Sequence, residues 1–308
     1  MKSQEGFTLV ELMIALALGL IVVAAATLLF LTGLRSSSMQ QGVSDLQDNA
    51  NFGLNYITQD IRLANLNNIA ARVDDKLLLG GIVLSEDNFP DSLIPVPDPD
   101  NPNSSTFDIS QLSSAGTGVS NVNQASDQLV IQYQPMAAGG FDCEGRIIAD
   151  VDRIIVQRYF LREDDNSSTG ERNPLALACD AGHYILGDEE INNFGDAGEI
   201  IMKRVDHFRV LLNVSSATGL RYMAIDDYMM ETTPRPRVLG VSLGVLARSS
   251  QNVGQDQAIS QNNQFTVLDQ TVGIDDSGNQ QGYLRRVVTQ DVALRNALGE
   301  REGESESE

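Results

Sequence analysis

Residues 7–31 form an apolar run with a single charge in it, Glu11. From 12 to 31 there are 20 residues with no charge and no proline. As a helix they span roughly 30 Å, enough to cross a bilayer core. Lipid leaves backbone amides no outside partner, so such a run is predicted to be helical. A carboxylate near the centre of a membrane helix costs on the order of 2.5–3.5 kcal/mol. Glu11 therefore needs a partner or a task. The short head before the run, 1–6, carries Lys2 and Glu5, whose charges cancel.

The helical pattern continues beyond the run. Val43, Leu46, Ala50, Leu54, Ile57, Ile61 and Ala64 recur every three or four residues, with Ser44, Asp45, Gln47, Asp48 and Gln59 between them. That spacing puts one apolar face on an amphipathic helix. One long helix is predicted from about 7 to about 66, its first half for a membrane and its second for a soluble domain. No proline interrupts it; Gly19, Gly33, Gly42 and Gly53 are soft points.

Downstream the pattern changes from helix to strand. Leu77, Leu78, Leu79, Gly80, Gly81, Ile82, Val83 and Leu84 read as a strand turning at the glycines. Residues 90–103 hold five prolines among Asp and Asn, a surface loop. The stretch 113–126, rich in Ser, Gly and Asn, reads as a mobile loop. Strand signals follow at 128–133, 147–152, 153–161, 176–179, 199–213, 237–247 and 283–294. A long helical spine packed on a β-rich domain is an α+β fold. The acidic tail 299–308, with five Glu and one Arg, is predicted to be disordered.

Gly6, Phe7, Thr8, Leu9, Val10 and Glu11, followed by the apolar run, resemble the class III signal of type IV pilins and their relatives. In that superfamily a membrane aspartyl peptidase cuts after the glycine and methylates the new N-terminus. The resemblance makes Gly6 the last leader residue, Phe7 the first mature residue and Glu11 the fifth. The electrostatics agree with it. A positive amine at Phe7 sits at a helix N-terminus that is itself positive, and Glu11 in the next turn can offset that amine or a neighbouring subunit's. The alternative is an ordinary signal anchor with its Glu near the interface.

A second set of motifs is more specific. Residues 127–133 precede Asp142, Cys143, Glu144 and Gly145; then come Arg158, Tyr159 and Phe160, Leu177, Ala178 and Cys179, and 205–210. The late strand 238–248 and the ending 284–296 complete the order, which resembles the PilW family of minor pilins. The resemblance implies a leader at 1–6, a transmembrane and filament-core helix at 7–31, an amphipathic half at 32–66 and a periplasmic domain at 67–298. It implies an N-terminus in the cytoplasm, a body outside the inner membrane, and transfer to the pilus tip on assembly. The implied partners are other minor pilins, the major pilin, the prepilin peptidase, the inner membrane and a tip adhesin. The implied role is priming of pilus assembly, in support of adhesion, twitching motility or DNA uptake. A J-type minor pseudopilin of type II secretion shares the spine and β-rich body and is the alternative; the ending 284–296 favours PilW.

Cys143 and Cys179 suit that oxidising compartment. Paired, they would stabilise the fold by roughly 3–4 kcal/mol in the chain-entropy model; two buried free thiols are the alternative. The net charge of −21 argues against direct nucleic-acid binding, since phosphates would be repelled.

Enzyme signals are weak. Gly240, Val241, Ser242, Leu243 and Gly244 fit the Gly-x-Ser-x-Gly pattern of a nucleophile elbow. They lie in an apolar run with no helix signal after it, so a membrane-anchored periplasmic serine hydrolase using Ser242 is a remote alternative. The two histidines, His183 and His207, lack metal-ligand spacing. Asp98, Asp100 and Asn101, and Asp275, Asp276 and Asn279, are oxygen-rich turns that miss the EF-hand pattern. No cofactor motif is present, and neither a catalytic nor a metal site is expected.

Overall fold

In the computed structural model the residues described are 6, 8–94, 112–167, 171, 173–250, 263–274 and 282–299. The spine is a single helix, α1 (Leu9–Ile61), of 53 residues, about 80 Å long. Its first half is bare. Burial begins at Gly42 and follows Leu46, Ala50, Gly53, Leu54, Ile57, Thr58 and Ile61. Val43 stays exposed, so the buried stripe enters one residue earlier than the apolar spacing suggests.

The helix stops at Ile61 rather than near 66. Asn65 and Asn67 adopt positive φ of 62° and 61°, a conformation asparagine tolerates better than most residues. Asn65 then replaces helical hydrogen bonds with tertiary ones. Its Oδ1 accepts from the Gly81 amide at 3.1 Å, and its Nδ2 donates to the carbonyls of Ala70 at 3.0 Å and Asn296 at 2.9 Å. Asn296 in return donates to the carbonyls of Arg62 and Ala64. The end of the helix is thus tied to the end of the body.

The strands are β1 (Ser114–Gly118), β2 (Ser126–Tyr133), β3 (Ile154–Glu163), β4 (Leu175–Tyr184), β5 (Glu199–Lys203), β6 (Val205–Ser216), β7 (Gly219–Ala224), β8 (Val238–Arg248), β9 (Gln264–Val267), β10 (Gln270–Gly273) and β11 (Arg285–Ala293). A short helix, α2 (Ile225–Met230), follows β7. Three sheets result, with orders β1-β2-β3-β4-β5, β11-β8-β6-β7 and β10-β9. Every strand pair is antiparallel. The fold is α+β, a long helix packed on a β-rich domain.

One core joins the buried half of α1 to both larger sheets: Leu54 and Ile57 from the helix, Leu129 and Tyr159 from the first sheet, Phe208 and Val245 from the second. A smaller core on the far side of the first sheet gathers Val130, Val156 and Tyr184 under Phe89 and Leu93. This is why β2 is buried along its whole length. The helix lies so close to β5 that a Cβ on Gly53 would come within 2.7 Å of Met202 Cε; glycine there is what lets the spine seat.

Several expected strands are different. Leu79 to Leu84 run beside β2, with an isolated bridge between Ile82 and Ile131, but form no strand. The amides of Leu84 and Ser85 bond to Asn88 Oδ1 instead of a neighbouring backbone. The stretch 147–152 is a turn region, nucleated by Asp142, whose Oδ1 accepts from the amides of Glu144 and Arg146. Conversely, β1 forms inside the stretch expected to be a loop. Asp127 Oδ1 accepts from the Gly116 amide at 2.8 Å and helps hold it. The predicted run 199–213 is two strands split at Arg204, where φ is 61°. The tail from 300 onward and the oxygen-rich turns at 98–101 and 275–279 lie outside the described residues.

The helix is fastened to the body by a half-buried acid. Tyr159 Oη donates to Asp60 Oδ2 at 2.8 Å. Burial raises the Asp60 pKa to about 6, with the Tyr159 hydrogen bond opposing it. A carboxyl whose folded pKa is raised favours the protonated fold, so its contribution is fully present below about pH 4 and is lost as pH rises through about 6. Asp60→Asn keeps an acceptor for Tyr159 and removes the ionisation. It is expected to raise the melting temperature at pH 7–8, by on the order of 2 kcal/mol of stability. Melts of both proteins across pH 4–8 check this: the gain should vanish toward pH 4.

Candidate assembly interface

The helix start is a capping box. Thr8 is the N-cap, and its Oγ1 accepts from the Glu11 amide at 3.3 Å. Glu11 Oε2 accepts from the Thr8 amide and the Thr8 hydroxyl, both at 3.0 Å. Two otherwise unpaired donors are satisfied in this way. The sequence signal was Thr-x-x-Glu ahead of an apolar run; the pilin-like reading of Glu11 passed over Thr8. Among the described residues only Oε2 is engaged by a hydrogen bond, and the Glu11 side chain is exposed. Gly6 is exposed just ahead of the cap, and Phe7 lies outside the described residues.

Beyond the cap, α1 exposes its apolar side chains on every side. Leu9 is 75% exposed and Phe30 65%, and no residue of the helix's most apolar window is buried. Such a surface demands lipid or other apolar helices. Its few hydroxyls do not interfere. Thr27 and Thr32 donate to the carbonyls of Val23 and Leu28 within their own helix, each at 2.8 Å. A Cβ at Gly19 or Gly33 would meet nothing, so the isolated chain has no packing need for glycine at either place.

The cysteines are bonded to each other, 6.1 Å apart between Cα atoms. Cys179 lies in β4, and Cys143 in the turn region between β2 and β3. Tyr56 Oη on the helix donates to the Cys143 carbonyl at 3.2 Å, which couples this loop to the spine.

The motifs that stood far apart in the sequence meet in space. Arg209 reaches Asp127 at 3.2 Å and Asp269 at 2.8 Å. Asp206 takes Arg285 at 2.6 Å and Asn121 at 2.8 Å. Arg158 pairs with Asp180 at 2.7 Å. Each pair bridges strands or a strand and a turn that are distant in sequence. All the partners except the exposed Asp269 are largely buried, where losing one partner is costly. The charged residues in these motifs hold the body together.

Ser242 is a strand residue. It pairs across β8 with Leu211 on one side and Asp291 on the other, and its hydroxyl donates to Asn213 Oδ1 at 3.0 Å and to Asp291. A nucleophile elbow needs a sharp strand-to-helix turn, which this position lacks. The histidines sit in different sheets, His183 in β4 and His207 in β6. Burial holds the His207 pKa down at about 4, with Gln270 opposing it, and burial with Arg153 lowers that of His183.

Comparison with known proteins gives two family matches. Residues 1–27 match the prokaryotic N-terminal methylation motif, and residues 158–296 match the type IV pilus-assembly protein W family. Among solved structures the chain resembles the type IV-like pilin TTHA1219 from Thermus thermophilus. That match has 16% identity, covers 60% of this chain and 84% of that one, and has a TM-score of 0.32. The curated proteins give no match. The methylation motif and the bare apolar helix fit a pilin anchored in the inner membrane. The methylation motif at the head of the chain and the match over residues 158–296 thus make this chain similar to type IV pilus-assembly proteins of the W family.

Proposed function

We propose that this chain is a minor pilin that helps prime pilus assembly and sits at or near the filament tip, where it supports adhesion, twitching motility or DNA uptake. The observation that carries the proposal is the division of α1. Its first half exposes apolar surface on every side behind a capped acid, and its second half is locked into a cross-braced body. A subunit built this way can wait in the inner membrane, with its N-terminus cytoplasmic and its body periplasmic, and then move into a filament core without refolding.

In this reading the leader 1–6 is removed after Gly6 by the prepilin peptidase, and the amine of Phe7 is methylated. Residues 7–31 become the filament-core helix, 32–66 the braced half, 67–298 the displayed domain, and 299–308 an acidic tail. Glu11 receives the N-terminal amine of a neighbouring subunit. The partners are other minor pilins, the major pilin and a tip adhesin, and the chemistry is assembly rather than catalysis.

Two strains test the placement. Deleting the gene is expected to lower surface piliation about tenfold or more, as removal of an initiator should. An epitope tag on the body should label filament ends. Label spread along filament shafts, or unchanged pilus numbers, would defeat the tip-priming role.

A further inference from the structure

Three carboxylates that no strand motif explains converge beside the disulfide. Glu144 follows Cys143, Asp180 follows Cys179, and Asp196 lies in the turn before β5. One oxygen from each lies within 4.8 Å of the other two. Asp180 is fully buried. Its Oδ2 is taken by Arg158 at 2.7 Å and by the Gly195 amide at 3.0 Å. Its Oδ1 is also buried and has no hydrogen-bond partner. A buried, unpaired carboxylate oxygen is a costly feature unless something occupies it.

The arginines nearby do not balance the charge. Arg146 pairs with Glu144 at 2.5 Å and Arg158 with Asp180. Against them stand Glu144, Asp180, Asp196 and the adjacent Asp142, which leaves two negative charges. The missing element is a compact double positive charge that accepts oxygen ligands.

We infer that Glu144, Asp180 and Asp196 hold a calcium ion that clamps the disulfide loop to the turn before β5. Carboxylates are the ligands a hard cation takes, and oxygens this far apart can share an ion that binds at about 2.3–2.6 Å. Magnesium needs about 2.0–2.1 Å and near-ideal octahedral geometry, which carboxylates from a loop, a strand and a turn, two of them already paired with arginine, suit poorly. The site is independent of the filament-tip reading, since it rests on the body alone.

The test uses the full mature chain in detergent micelles, stripped with chelator and titrated with CaCl2 by calorimetry and thermal melt. One calcium per chain is expected, with Kd of about 10⁻⁴–10⁻³ M. The melting temperature should rise with calcium concentration, as linkage requires, and the same concentrations of MgCl2 should leave it unchanged. Asp196→Asn is the main variant. Asp196 is exposed, and the asparagine Oδ1 can still accept from the Gly198 amide, as Asp196 does at 2.7 Å. It should keep the calcium-free melting temperature and lose about tenfold or more in affinity, and Glu144→Gln should repeat the loss. No heat or melting response in the wild-type chain would overturn the site. So would unaltered calcium affinity in both variants, or an equal response to magnesium.

Discussion

Replacing Glu11 with valine is expected to leave the leader cleaved and the body folded, yet to remove the chain from assembled pili. The substitution makes the membrane run more apolar, so anchoring is retained. It touches no packed residue, because the helix is bare at that point. The loss falls on the interface. In the chain alone Glu11 Oε2 caps the helix through Thr8, and the exposed carboxylate is open to an amine from a neighbour. A charge-assisted hydrogen bond of that kind is among the strong ones. Without it the neighbour's amine is left unpaired among apolar helices, at a cost on the order of 3–5 kcal/mol. That corresponds to a fall of roughly 100-fold or more in incorporation. Crosslinking to partner pilins, with a pilus count, measures it. A subunit at the extreme tip has none ahead of it, so normal crosslinks with normal pili would rule out the pairing role and leave the extreme-tip placement. Loss of cleavage, or of the folded body, would mean Glu11 has been assigned the wrong task.

The second large effect is on the body. Cys143→Ser opens a loop with a sequence separation of 36 residues, which the chain-entropy model values at roughly 3–4 kcal/mol. The bond also fixes a turn that holds the helix through Tyr56. For a body of this size the melting temperature should fall by roughly 10 °C. Cys179 is fully buried, so its freed thiol packs as a small apolar group and adds little further cost. Melting wild-type protein with and without reductant should reproduce the shift. Thiol labelling of unfolded, unreduced wild-type protein should find neither cysteine, and labelling of both would contradict the bond.

The parts of this fold legible in the sequence are those in which periodicity and burial agree. The spine was legible because lipid-like composition and the heptad-like stripe both favour a helix, and no proline opposed them. Strands β3, β6 and β8 were legible because buried β-branched runs fit paired strands. The failures have a common cause: apolar residues are also buried in irregular backbone. Ile82, Val83 and Leu84 are core residues, yet their segment is bent by Leu79 at φ 60°. It is also pressed so close to Asn65 that a Cβ on Gly81 would lie 2.2 Å from the Asn65 amide nitrogen. Side-chain acceptors such as Asn88 and Asp142 satisfy the amides there, and such acceptors leave no periodic trace. The polar β1 escaped notice for the opposite reason, since Asp127 and an edge pairing hold a strand with almost no apolar content.

The residues proposed for assembly drew attention in the sequence for reasons of their own. Glu11 stood out because a charge in an apolar run has a cost, and Gly6 and Phe7 because the motif names them. Thr8 was missed, although its spacing to Glu11 was in plain view. The carboxylates at 144, 180 and 196 were invisible as a group, because the β4–β5 pairing and the disulfide bring them together.

The central claim is that this chain is a pilin processed at its sixth residue and carried into a filament by α1. Mass spectrometry of the N-terminal peptide, from membranes and from sheared pili, tests it most directly. The account predicts a chain that begins at methylated Phe7 in both fractions, and uncleaved chain absent from pili when Gly6 is replaced by valine. Assembled protein that still carries Met1 would contradict it.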